Sequence, residues 1–329
     1  MLPWVRLLSS VRRKLCESVL RPLEQQPLSP GVYRFVVPDE HAGARLDLFL
    51  AGVAGGGRSL LKRLIDLGGA HVDGRRVRRC SLAVAAGQRV ELHVDGLPLT
   101  PFQLEPTRIL FRDRYLLALD KPAGIATQPT PARYQGTVYA ALQQFLGSAG
   151  TVSIGMVQRL DRDTSGVMVF STHPRAHKGL TASFGEHRVT KRYLAMVSGR
   201  LQDGEGEIRS QLARRRSTNR MVSVARGGKE AVTRYRLLAA CDDASLVEVE
   251  ILTGRSHQIR VHFAEAGHPL LGDRSYGGPA QIRGVTVPRQ MLHASDLCFD
   301  HPVTGERLSL QASVPDDMRT VLRVLDLSP

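Results

Sequence analysis

Residues 158–171 read QRLDRDTSGVMVFS, a charged, turn-forming segment that feeds an uninterrupted apolar run. Bounded by Thr, Ser and Gly, that run predicts a buried strand, with Asp161 and Asp163 on the loop that enters it. Two readings of Asp161, flanked by Arg159 and Arg162, stay open on the residues alone: a carboxylate that caps a turn and pairs at the surface, or a reactive group. The Asp161-Arg162-Asp163 spacing also matches a magnesium-dependent phosphotransfer pair. The match is poor, because Gln158 and Arg159 stand where those enzymes carry an apolar strand, and Thr164 follows the pair directly.

Outward from this stretch, one unit runs from about residue 105 to 314 without a break. ILFRDRYLLALDKPAG (109–124) predicts two strands about a polar turn, and TVYAALQQFLG (137–147) a helix. VMVFST, KRYLAMVSGR, VTRYRLLAA and SLVEVEILTG predict further strands. SHQIRVHFAEAG (256–267) reads as a strand that turns helical; His257 and His262, five apart on such a strand, would face opposite ways and make a poor metal pair. The mixture is too irregular for a βαβ repeat. An α+β fold is expected, with a mixed, mostly antiparallel sheet, helices against it, and residues 315–329 as a tail.

The 329 residues carry 45 Lys and Arg against 31 Asp and Glu, a formal charge of +14, which suits a polyanionic partner. Nucleic acid ranks first and an anionic membrane surface second. Cysteines at 16, 80, 241 and 298 are too scattered for a disulfide framework or a zinc site, so free thiols in a reducing cytoplasm are expected. No apolar run approaches the ~18 residues of a membrane helix, which predicts a soluble protein.

Residues 1–42 read as a basic extension and linker. In the first 21 residues Arg6, Arg12, Arg13, Lys14 and Arg21 face only Glu17, and Pro22, Pro27, Pro30 and Pro38 punctuate the linker that follows. Residues 43–96 read as two short helices, GARLDLFLAG and RSLLKRLIDLGG, then a hairpin turning at Asp73-Gly74, then a strand. Nine basic residues there oppose five acidic ones. Arg58, Lys62 and Arg63 around the second helix, with Arg75, Arg76, Arg78 and Arg79 on the hairpin, form a candidate RNA-binding face. Its bland counterpart is a solvated surface.

The order RLD (45–47), RSLLKRLIDLGGAHVDGRRV (58–77) and AGQRVEL (86–92) resembles the S-four RNA-binding domain, a small alpha-L unit that grips RNA through helix and hairpin cations. The blocks RLDRDTSG, KRYLAMVSGR, GGKEAVTRYRLL and LTGRSHQIRVHFAEAGHPLLGD resemble the RluA family of pseudouridine synthases. ILFRDRYLLALDKPAG upstream and RQMLHASDLCFDHPVTGE downstream extend that resemblance over roughly residues 105–314, and the two units together resemble the RluC and RluD architecture.

The resemblance implies isomerisation of uridine in RNA: the base is cut from ribose at nitrogen, turned, and rejoined through carbon five, with no cofactor or metal. It makes Asp161 the nucleophile and Arg260 its ion-pair partner. Tyr193 becomes the aromatic residue that stacks on the base and takes the carbon-five proton, and Arg159 fills the space left by the flipped uridine or meets its phosphate. One position departs from the family: Gln158 stands where His is common, and Gln cannot titrate. The implied partner is RNA, large-subunit ribosomal RNA first and transfer RNA as the alternative. A monomer with no obligatory protein partner and no membrane is expected. A noncatalytic RNA-binding ribosome-assembly factor is the competing reading, and the presence of Asp161, Tyr193 and Arg260 favours the enzyme.

Overall fold

Helical apolar spacing and one tight turn account for the N-terminal unit, which takes in residues 28–101 and also Thr130–Gln135. The computed structural model describes residues 28–147 and 153–327. The basic segment ahead of residue 28 lies outside the described residues. β1 (Gly31–Val36) is followed by α1 (Leu46–Val53), α2 (Arg58–Leu67), β2 (Ala70–Val72), β3 (Arg75–Val77) and β4 (Arg89–Val94). The strands form an antiparallel sheet in the order β1-β4-β2-β3. β1 replaces part of the linker expected over 22–42, because Tyr33 and Phe35 alternate with exposed Val32, Arg34 and Val36 and pack on the unit's core.

Leu46, Phe49 and Leu50 of α1 and Leu61, Leu64 and Ile65 of α2 recur at one helical face and bury against Val72, Val90 and Leu92. Each such side chain contributes about 1.5–3 kcal/mol of burial. The hairpin turns at Asp73 and Gly74, with φ of 48° and 74°, the left-handed pair that a two-residue turn requires. Arg133 forks onto Asp95 at 2.9 and 3.1 Å, and Tyr134 N–H donates to the Leu67 carbonyl at 2.6 Å; these bonds hold Thr130–Gln135 in this unit.

The second unit holds Phe102–Pro129 and the chain from Gly136 onward. Its elements are β5 (Ile109–Arg112), β6 (Leu116–Lys121), α3 (Val138–Gly147), β7 (Gly155–Met156), β8 (Ser165–Ser171), α4 (Pro174–Gly185), β9 (Thr190–Ser198), β10 (Glu205–Arg215), β11 (Arg220–Val224), β12 (Lys229–Ala240), β13 (Ala244–Ile251), α5 (Gln258–Glu265), β14 (Gln281–Ile282), β15 (Val285–Thr286), β16 (Leu292–Asp300), β17 (Arg307–Gln311) and α6 (Asp316–Leu325). The main sheet runs β11-β10-β12-β13-β9-β16-β8-β6-β5, with β17 on β16 and β7 on β8. Among the described residues its pairings are antiparallel except β16 with β8, so the mixed, mostly antiparallel α+β expectation holds.

β6 and β8 read as continuous apolar runs because both faces of the sheet are covered there. Leu117, Leu119, Met168 and Phe170 pack with Val138, Ala141 and Leu142 of α3, while Leu116, Ala118, Val167 and Val169 pack with Ala176 and Leu180 of α4. Gly166 sits at φ 116° where β8 meets β16, and a Cβ there would stand 2.1 Å from the Ala294 carbonyl oxygen. Only glycine allows that approach.

Two expectations are corrected here. Residues 256–267 hold no strand: α5 starts at Gln258, and Gln258 through Phe263 are all buried. A helix covered on every side has no amphipathic signature to separate it from a strand. Nor is the segment from 315 a tail. α6 buries Met318, Val321, Leu322 and Leu325 against Met196, Leu246 and Met291, an i, i+3, i+4, i+7 stripe. Among the described residues no helix is long and apolar enough to cross a membrane.

Candidate active site

The loop between β7 and β8 is held by its backbone at successive residues. Thr127 Oγ1 donates to the Leu160 carbonyl at 2.7 Å and accepts from its N–H at 3.3 Å. Lys121 Nζ donates to the Arg162 carbonyl at 2.8 Å, and to those of Pro122 and Ile125 at 2.9 and 2.8 Å. Arg289 Nη1 donates to the Asp163 carbonyl at 3.0 Å, and Thr164 N–H closes the turn onto the Asp161 carbonyl at 3.1 Å. The Lys121 side chain has no exposure, and burial pushes its pKa down to about 7, opposed by the charge of Asp163. All three of its donors are spent on loop carbonyls.

On this fixed loop Asp161 keeps 27% of its side chain exposed and accepts from Arg260 Nη1 at 2.8 Å. Arg260 comes from buried α5 and turns its other edge onto Asp273, Nε to Oδ2 at 2.6 Å and Nη2 to Oδ1 at 2.8 Å. Asp273 is 1% exposed, so its two charge-assisted bonds lock the guanidinium plane and aim the remaining nitrogen at Asp161. The hydrogen bonds and charges of Asp273 and Asp161 outweigh burial and hold the Arg260 pKa above its ordinary value. Tyr276 lies against the cation, 4.9 Å from ring centre to guanidinium carbon.

His257, at the start of α5, places Nε2 3.8 Å from Asp161 Oδ1 and Nδ1 2.8 Å from Tyr276 Oη. Burial lowers its pKa, with Asp161 opposing. These groups line a cavity of about 430 Å³ whose walls include Asp161, Asp163, His257, Arg260, Asp273 and Arg289. That volume falls in the range of a small-molecule site. The arrangement presents one carboxylate, oriented by an arginine that is itself anchored.

The sequence-predicted residues fare differently. Asp161 and Arg260 meet directly. Tyr193, on β9, is buried in the core with Val249 and Phe263; burial first, and Asp161 second, push its phenol pKa above the ordinary 10. It is not among the residues lining the cavity. Arg159 is exposed. Gln158 turns its amide nitrogen inward, buried without a hydrogen-bond partner. His262 bonds Ser210 and Thr233 hydroxyls instead of facing His257.

In the N-terminal unit Lys62, Arg63, Arg75, Arg78 and Arg79 are exposed, and Arg78 stacks over Tyr134 at 4.6 Å. Arg58 is half exposed but shares the fully buried Asp47 with Arg45. Arg76 departs from the expected face. It turns inward, donates to the Thr130 carbonyl, and has its pKa lowered by burial and then by Arg78. Lys121, Thr127, Tyr276, Asp273, Arg289 and Gln290 were not foreseen as site residues, although a lysine ending the apolar run LLALDK was a visible signal for the first.

A family model described as RNA pseudouridylate synthase matches residues 115–265, which include Asp161, Tyr193 and Arg260. A ribosomal large subunit pseudouridine synthase D of Zymomonas mobilis is 39% identical over 68% of this chain and 74% of its own length. The chain belongs to the RluA family of RNA pseudouridine synthases. An uncharacterized RNA pseudouridine synthase of Aquifex aeolicus is 36% identical over 86% of this chain and 94% of its own. A synthase D of Xanthomonas campestris is 35% identical over 91% and 94%. The solved human RNA pseudouridylate synthase domain containing 4 shares 25% identity at a TM-score of 0.56, covering 68% of this chain and 94% of its own. The chain is thus an RNA-modifying isomerase of pseudouridine synthase fold. Arg289 and Asp273, which complete the site, lie beyond the matched segment of this pseudouridine synthase.

Proposed function

We propose that this synthase isomerises a uridine of large-subunit ribosomal RNA, with Asp161 as its nucleophile. The observation that carries the reading is the chain Asp273–Arg260–Asp161 in a cavity sized for a nucleotide. A partly exposed carboxylate whose partner is fixed from behind can approach an everted uridine with little reorganisation, which favours nucleophilic catalysis. The glycosidic bond from ribose to nitrogen breaks, the base turns, ribose joins carbon five, the carbon-five proton leaves while the freed nitrogen takes one up, and the bond that Asp161 forms to the nucleotide is released, so the product is an isomer of the substrate.

Tyr193 keeps an aromatic role near Asp161, but a phenol whose pKa is pushed up by burial retains its proton at neutral pH, which counts against its taking the carbon-five proton. Arg159 meets the RNA backbone in this reading, which its exposure two residues before Asp161 supports. The N-terminal unit, in S-four manner, grips RNA through Lys62, Arg63, Arg75, Arg78 and Arg79, with Arg58 at its margin. Relatives named for the large ribosomal subunit favour that RNA over transfer RNA. The enzyme works in the cytoplasm as a monomer, without a protein partner.

The test incubates purified protein with large-subunit ribosomal RNA or transfer RNA transcripts and locates pseudouridine by carbodiimide adduct mapping. A modified site in the ribosomal transcript, lost in Asp161→Asn, is expected. Modification confined to transfer RNA overturns the substrate, and undiminished activity of Asp161→Asn overturns the nucleophile.

A further inference from the structure

His257 holds a backbone conformation that needs a reason. It occupies the position just before α5 with φ 54° and ψ 21°, a left-handed conformation that costs an L-residue energy, yet its side chain makes no capping bond to the helix. The ring instead lines the Asp161 cavity.

The neighbours of the ring favour one nitrogen as the carrier of the proton. Tyr276 Oη accepts from the Met221 N–H at 3.2 Å and has its own proton to give to its other neighbour, His257 Nδ1, at 2.8 Å. With that proton on Tyr276, Nδ1 is the acceptor and Nε2 bears the hydrogen. Asp161 enforces the same choice, since a carboxylate oxygen 3.8 Å away favours an N–H over a lone pair. That distance is too long for a hydrogen bond, and among the described residues Nε2 has no acceptor in reach.

Two neighbouring guanidinium groups are already anchored by carboxylates and carbonyls. Arg260 uses Nε and Nη2 on Asp273 and Nη1 on Asp161. Arg289 spends its nitrogens on Asp317, Ser165 and the carbonyls of Asp163, Gln290 and Leu292. An oriented donor facing the reactive carboxylate across a gap remains at His257.

We propose that His257 is a substrate-contacting residue that donates Nε2–H to an oxygen of the everted uridine, on its base or its ribose, with Tyr276 fixing the tautomer. This rests on the reading of the Asp161 cavity as the uridine site. The contact orients the nucleotide between His257 and Asp161 and holds the base or the sugar when the glycosidic bond opens.

Steady-state kinetics on the target RNA, with nitrogen-15 imidazole NMR of the free protein, test it. His257→Ala is expected to lose at least tenfold in kcat/KM, His257→Gln to recover most of it because its amide can donate at a similar reach, and Tyr276→Phe to fall between. Replacing the target by 2-thio- or 4-thiouridine probes the base and by 2′-deoxyuridine the ribose; the penalty that shrinks in His257→Ala names the acceptor. NMR is expected to show the Nε2–H tautomer, weakened in Tyr276→Phe. Wild-type kcat and KM in His257→Ala, a Gln variant as poor as Ala, penalties identical in both backgrounds, or an Nδ1–H tautomer each overturn the proposal. Wild-type protein without turnover on any RNA defeats the uridine-site reading, while the NMR result still decides the tautomer.

Discussion

Arg289 and Asp317 form a two-pronged ion pair, Nε to Oδ2 at 2.6 Å and Nη2 to Oδ1 at 2.9 Å, that ties the C-terminal helix α6 to the loop carrying Asp161. Arg289 is buried, and its Nη1 reaches the Asp163 carbonyl two residues past Asp161. Asp317 thus acts on the site through Arg289, without lining the cavity itself.

Asp317→Ala should strand the buried guanidinium and cost about 1–3 kcal/mol, less than a fully buried pair because Asp317 is about one-third exposed. The loop should loosen as well, so kcat falls several-fold while KM for RNA changes little. Chemical denaturation and kinetics measured together check this; a variant that loses stability but keeps wild-type kcat refutes the positioning role.

Arg260 serves two carboxylates, and its variants should separate those duties. Arg260→Lys keeps a charge but cannot fork onto Asp273 while reaching Asp161, so activity should fall more than tenfold in a folded protein. Arg260→Met leaves the buried Asp273 charge unpaired and should cost about 3–5 kcal/mol. Denaturation midpoints and turnover of the two variants give the comparison.

His293 has no exposure and sits between the Ser165 hydroxyl and the Ala312 carbonyl; burial, the largest cause, lowers its pKa from 6.5. The folded protein therefore keeps it neutral where the unfolded chain already binds a proton. Its contribution to stability is complete above pH 6.5 and is lost as pH falls below 6.5 through the depressed folded value. His257 and His262, also lowered, act in the same direction. Melts across pH 5 to 8 should show stability falling below about pH 6.5, less steeply in His293→Gln; an identical slope in the variant contradicts the assignment.

Replacing exposed Arg75, Arg78 and Arg79 by Gln should weaken RNA binding and flatten the dependence of log affinity on log salt by roughly 0.7–0.9 for each phosphate no longer neutralised. Arg76→Gln should instead lower stability and leave the slope alone, because that side chain faces inward to the Thr130 carbonyl. Filter binding at several salt concentrations decides, and an unchanged slope in the triple variant removes the hairpin from the RNA interface.

Legibility in the sequence depends on whether a signal is local. The two short helices and the Asp73-Gly74 turn of the small unit are written in nearby residues, and the apolar runs of β6 and β8 announce strands covered on both faces. Asp161 and Arg260 were visible through motif resemblance although 99 positions separate them. The start of α5 carries no helical periodicity because Gln258 through Phe263 are all buried, whereas the apolar stripe of α6 is legible in its sequence. The groups that fix the loop were hidden for another reason. Lys121, Thr127 and Arg289 act on backbone carbonyls, and a carbonyl leaves no mark on the sequence that specifies its partner.

The central claim, that Asp161 drives uridine isomerisation in large-subunit ribosomal RNA, is tested most directly by carbodiimide mapping of pseudouridine in total RNA from a deletion strain of the host complemented with wild type or with Asp161→Asn. The account predicts a large-subunit site that is absent in the deletion, restored by wild type and not restored by Asp161→Asn. A site restored equally by both proteins contradicts it.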